Sequence, residues 1–204
     1  MVMDLLPLVF SSSWASGVNA YVTVLVLGLF ARFSDITAVP DAFGRTDVLV
    51  AAGVMVLIEL VVDKVPYLDS TWDAISTFVR PVVGGVVAYQ LAGDADSIDQ
   101  ALLTALGGST ALASHSVKSG LRLAVNTSPE PFSNIAVSTA EDISVVGVVA
   151  LALAHPWVAL GVSATLLLGG IVLVILLIRV IRRAREARRE QRATAPPSAP
   201  PSAR

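Results

Sequence analysis

A chain of 204 residues that is 54% hydrophobic and 15% charged, with a mean hydropathy of +0.74, is too apolar for an ordinary soluble domain. It has no cysteine, which excludes disulfides and thiol chemistry, and His115 and His155 lie far apart without an HExxH-type ligand spacing. A net charge of −2 hides an asymmetry, because eight of the fourteen Lys and Arg fall within residues 179–204.

Crossing a bilayer core takes about 20 apolar residues at about 1.5 Å each. Six segments are candidates, and they predict an all-α, polytopic membrane helix bundle within residues 1–178. The first lies within 5–33; Asp4 and the lack of a basic n-region argue against a cleaved signal peptide there. Its "VFSSSWASGVNAYVTV" run is irregular: three serines followed by Gly17 and Asn19 weaken a helix. Such breaks are tolerated at membrane depth where they are buried or line a cavity. The other reading is a short interfacial helix that turns into a span near Ser16.

The second span, 47–65, places Glu59 and Asp63 four residues apart and so on one face. Counted from Asp47, Glu59 lies about 18 Å along the helix and Asp63 about 24 Å. Glu59 is then near the middle, while Asp63 and Lys64 suit an interfacial ion pair. Next, "YLDSTWDAISTFVRP" is too polar to cross. Trp72, Ile75 and Val79 recur at helical spacing, and Ser70 with Asp73 resembles a capping box. A short helix near 69–79 lying on the cytoplasmic face is expected. The third span, about 80–93, is short and glycine-rich and is the weakest of the six.

The fourth span, 99–123, carries His115, Lys118 and Arg122 at i, i+3, i+7 on one face. From Asp99 they lie at roughly 24, 29 and 35 Å. Depth therefore assigns Lys118 and Arg122 to the cytoplasmic end, where they snorkel to headgroups, and leaves only His115 inside. Gly107, Gly108, Ala111 and Ala113 are assigned to the opposite, close-packing side. In the fifth span, 133–154, Glu141 and Asp142 lie about 15 Å deep. Pairing all of Glu59, Glu141 and Asp142 would leave too few buried cations, so at least one carboxylate is expected to be protonated, ion-bound or exposed to water.

The sixth span, 156–178, runs into "RVIRRAREARREQR". This forms an Arg-rich cytoplasmic helix over 179–192 that contacts anionic headgroups, followed by a Pro/Ala/Ser disordered tail at 193–204. By the positive-inside rule the C-terminus is cytoplasmic, and six spans place the N-terminus there too, with Lys64, Arg80, Lys118 and Arg122 on that side. The basic tail is read as a membrane anchor, and no nucleic-acid partner is expected.

Three spans plus three of opposite orientation would form an inverted repeat. "WASGVNAY" (14–21) then matches "LASHSVKS" (112–119), "RPVVGG" (80–85) matches "HPWVALG" (155–161), and Glu59 matches Glu141. On that pairing broken first and fourth spans would meet the acidic second and fifth near the midplane.

"ASGVNAY", "IELVVDKVPYLDSTWD", "HSVKSGLR" and "NTSPEPFSN" followed by "STAED" together resemble the pattern of a bacterial integral-membrane family designated only as domain of unknown function 4126. The resemblance spans about residues 5–175, and "SPEPFSN" followed by "ED" is its most specific part. It implies a multi-pass protein of the bacterial plasma membrane and supports the polar residues as a set. It implies no reaction, substrate or cofactor.

The residues themselves point first to a small transporter or channel for an ion or solute. Asn19, Glu59, Asp63, His115, Glu141 and Asp142 would form its binding groups. A variant takes an anion or lipid headgroup on Arg80, Lys118 and Arg122 with the helix start at Ser133 and Asn134. The alternatives are an accessory or assembly protein whose polar residues only join helices, and an enzyme of lipid-linked substrates using His115 near Asp142. No nucleophile motif or metal-ligand spacing supports the enzyme, and no cofactor is expected. A thin bundle of six spans leaves a homodimer as an open expectation.

Overall fold

The computed structural model describes residues 2–62, 68–93, 95–125 and 131–194. Asp63, Lys64 and the tail from 195 onward lie outside the described residues, and so do the side chains of Ser70, Ser133 and Asn134.

Among the described residues the chain is helical without strands. In chain order it forms α1 (Val2–Val18), α2 (Ala20–Phe33), a 3₁₀ turn (Asp41–Gly44), α3 (Thr46–Val62), α4 (Leu68–Ala92), α5 (Ser97–Val125), α6 (Pro131–Ala154) and α7 (Pro156–Thr194). Three helical stretches are long and apolar enough to cross a membrane: Thr71–Ala92, Ile135–Ala154 and Pro156–Ala187. This is consistent with a membrane protein.

The first predicted span divides at Asn19. Asn19 takes an extended conformation (φ −148°, ψ 102°), and its side chain accepts from the Val22 amide to cap α2. Neither half, at 17 and 14 residues, has the roughly 20 needed to span alone. Further on, residues 69–79 and 80–93 are not separate elements but one helix, α4, running through Pro81. The Arg-rich segment likewise continues α7 without interruption.

The core is built on α1, whose residues from Pro7 to Val18 are buried apart from Phe10. Small residues let its neighbours approach. Gly84 and Ala88 of α4 meet Gly107 and Ala111 of α5 as two small-xxx-small stripes, and a Cβ on Gly107 would fall 2.7 Å from the Gly84 carbonyl oxygen. Gly17 lies against Ser114 and the Ala111 backbone, where any side chain would overlap both. Ser11 of α1 faces Ser163 of α7 at 3.2 Å, and Ser114 donates to the Trp14 carbonyl at 2.9 Å. Gly107 and Ala111 therefore share the inward face of α5 with His115, Lys118 and Arg122, and do not lie opposite them.

Candidate functional site

A helix interrupted inside a bundle leaves carbonyls at one end and amides at the other without intrahelical partners. Here charged side chains meet both ends. Arg80 Nη1 donates to the carbonyls of Gly17 and Val18 at 2.9 and 2.7 Å, and Lys118 Nζ donates to Val18 at 2.9 Å. Two cations thus sit at the negative end of the α1 dipole. At the start of α2, the Asn19 amide donates to Asp142 Oδ1 at 3.0 Å, which brings an anion to the positive end.

These cations also carry ion pairs. Arg80 Nη2 lies 2.5 Å from Glu59 Oε1, and Lys118 Nζ lies 3.6 Å from the same oxygen. Lys118 stands 3.3 Å from Glu141 Oε2, which Arg122 reaches at 2.9 Å. The charges alternate along Arg80, Glu59, Lys118, Glu141 and Arg122, and join α4, α3, α5 and α6 around the break. Lys118 is the pivot, shared between two carboxylates and the end of α1.

The burial of the cations corrects the expectation from depth. Arg80, Lys118 and Arg122 are all buried, at 3% exposure or less, so Lys118 and Arg122 do not snorkel outward as headgroup anchors. The reason is local: partners within reach inside the bundle hold each head group more strongly than a distant interface would. Arg80 supplies the buried cation that the sequence reckoning lacked. Arg80 and Lys118 converge on α1 and Glu59 rather than on a headgroup.

His115 is inside, as expected, but it meets the carboxylates indirectly. Its Nδ1 accepts from Arg80 Nη1 at 3.1 Å. Nε2 lies 3.1 Å from the Asp73 carbonyl, 3.0 Å from Thr77 Oγ1 and 3.3 Å from Ser119 Oγ. A guanidinium only donates and a carbonyl only accepts, so the partners select the Nε2–H tautomer. His115 therefore braces the side of Arg80 opposite Glu59.

Two cavities flank this network. One, of about 170 Å³, lies between α1, α5, α6 and α7; Lys118, Glu141, Ser114 and Ser144 are its polar lining among apolar residues such as Trp14 and Leu166. The other lies between α4 and α5. Glu141 is 14% exposed and Glu59 only 1%, so Glu141 is the carboxylate within a ligand's reach. Among the described residues no three His, Asp or Glu side chains are grouped to hold a metal ion.

The family described as Domain of unknown function (DUF4126) matches residues 6–179. The chain belongs to that family. No curated protein and no solved structure matches it. The DUF4126 match covers the helix break and all five members of the charge chain.

The sequence reading missed Asp73, Thr77 and Ser119 as parts of the site. A signal was present: Asp73, Ser76 and Arg80 recur at helical spacing and form the buried stripe of α4. The expectation of a short helix on the cytoplasmic face drew attention to the apolar stripe of Trp72, Ile75 and Val79 and away from this polar one.

Proposed function

We propose that this protein is a small membrane transporter for an ion or small solute, with the break at Asn19 and its ion pairs as the working site. The carrying observation is that the ends of two half-helices are held by charged and polar side chains, beside a cavity that reaches Lys118 and Glu141. Discontinuous helices with charged or ionic partners at their ends are a recurring construction of transporter sites. Glu141 holds Lys118 and Arg122 together, so a ligand that draws this carboxylate away would loosen both and alter the arrangement of α1, α5 and α6. Glu59, fully enclosed and held by Arg80, serves as the fixed partner.

The test is flux in proteoliposomes containing purified full-length protein, with an imposed pH gradient and a panel of small ions and solutes. Flux above that of protein-free vesicles is expected, with at least a tenfold loss in Glu141→Gln that retains its helical circular dichroism. Equal flux in the folded variant and the wild type would remove Glu141 from the mechanism. No flux for any solute or proton would favour an accessory role, in which the same pairs only staple helices. The complete enclosure of Glu59 supports that second reading.

A further inference from the structure

The cavity of about 170 Å³ between α1, α5, α6 and α7 has a polar wall of Ser114, Lys118, Glu141 and Ser144. The donors on this wall are already committed. The Ser114 hydroxyl donates to the Trp14 carbonyl at 2.9 Å, and the Ser144 hydroxyl to the Glu141 carbonyl at 2.7 Å. Lys118 Nζ donates to the Val18 carbonyl and pairs with Glu59 and Glu141. Acceptor capacity remains. Lys118 and Arg122 both meet Glu141 through Oε2, and a carboxylate can accept about four hydrogen bonds, so Oε1 stays open to a further donor. Glu141 is 14% exposed, unlike the enclosed Glu59. The rest of the wall is apolar, with Trp14, Leu121 and Leu166 among its residues. Leu166 is 44% exposed, so the cavity borders the outer surface of the bundle, the side that lipid covers on the membrane reading.

We propose that this cavity binds an uncharged one-ring phenol, its hydroxyl donating to Glu141 Oε1 and its ring lying among Trp14, Leu121 and Leu166. Size sets the ring: an apolar cavity of about 150 Å³ takes a benzene molecule, and this one adds room for one polar atom. A wall rich in acceptors and without a spare donor sets the hydroxyl, since an O–H bond to a carboxylate is among the stronger hydrogen bonds. Charge sets neutrality. An ammonium at Oε1 would meet one carboxylate but also Lys118 and Arg122 just behind it, and the two repulsions offset the attraction. An anion would be turned away by the open carboxylate oxygen itself. The inference deepens the transport reading and rests on it for the role of the cavity: a donor on Oε1 competes with Lys118 and Arg122 for the carboxylate that joins them.

The experiment uses full-length protein in detergent and measures the thermal unfolding midpoint and calorimetric binding, the latter against micelles alone. The compounds are phenol, benzene, anisole and protonated benzylamine. Phenol should raise the midpoint and bind at least tenfold more tightly than benzene, which lacks a donor, or anisole, whose oxygen only accepts. Benzylammonium should bind more weakly than phenol. Ser144→Leu fills the cavity without changing a charge and should abolish phenol binding. Glu141→Gln should lower the preference for phenol over benzene at least threefold. That variant and the wild-type series decide the matter if Ser144→Leu does not fold. The proposal is overturned by benzene, anisole or benzylammonium binding as tightly as phenol, or by no binding of phenol. It is equally overturned by wild-type phenol binding in folded Ser144→Leu, or by an unchanged preference in folded Glu141→Gln. Phenol binding with no flux of any solute rejects transport alone, whereas flux with no phenol binding rejects this site alone.

Discussion

Glu59 is one of only two buried residues on α3, the other being Ala52; the rest of the helix turns apolar side chains outward. The carboxylate in that position is paired with Arg80 and Lys118. Removing it leaves a guanidinium enclosed without its closest counter-charge, and breaking a buried pair in this way costs about 3–5 kcal/mol. Glu59→Gln is therefore expected to lower the thermal midpoint in detergent strongly, and Glu59→Gln with Arg80→Met to recover part of the loss, because the stranded charge is then gone. A double variant no more stable than Glu59→Gln would show that Arg80 does not depend on Glu59. The burial of Glu59 was legible from its distance to either end of an apolar run. Its partner was not, because Arg80 directly precedes a proline and reads as a boundary residue.

Helix α4 is amphipathic inside-out. Asp73, Ser76 and Arg80 face the protein while Ile75, Phe78, Val82 and Val86 face outward. The same periodicity in water would place the polar stripe outside; the sequence analysis expects a surface helix over 69–79 because the stretch reads as too polar to cross. Periodicity gives the stripe but not its direction; the surrounding medium decides that. The surface helix near 69–79 and the span at about 80–93 are joined, and α4 passes through Pro81. Its missing amide forgoes only the bond to the Thr77 carbonyl, and the helix is held by close packing of Gly84 and Ala88 on α5. The run of serines, Gly17 and Asn19 marked the segment as irregular, but Ser11, Ser12 and Ser13 are helical within α1 and the break falls at Asn19. Gly17 itself answers to a neighbour, not to a turn. Gly17→Val would drive its side chain into Ser114 and the Ala111 backbone, so α1 must move away from α5. Spectroscopic distances between labels on the two helices should increase by an ångström or more, and the midpoint should fall; an unchanged distance would contradict the contact.

Across the whole molecule, the helical class followed from composition and the lengths of apolar runs, and three apolar helical stretches among the described residues are consistent with a membrane protein. The count of six spans did not carry over directly. Among the described residues three helical stretches are long and apolar enough to cross, and the first predicted span is two shorter helices. The proposed repeat pairs the break at Asn19 with residues 112–119, but α5 runs through that segment unbroken. Glu59 and Glu141 nevertheless meet at Lys118, a convergence that pairing by sequence order alone could not specify. The alternating charges also bear on how the protein is made. Helix α5 has 29 residues yet is not among the stretches apolar enough to cross, and it carries His115, Lys118 and Arg122. A charge near the bilayer centre costs about 2.5–3.5 kcal/mol on insertion scales. Its carboxylate partners come from Glu59, synthesised earlier, and Glu141, synthesised later. On the membrane reading, insertion of α5 would be a joint event in which α3 and α4 stay nearby until α6 emerges. Presented alone in a glycosylation-mapping assay, α5 should insert poorly, and adding α3–α4 before it and α6 after it should raise the inserted fraction stepwise. The order of synthesis would thus determine which unpaired charges the membrane meets, and for how long.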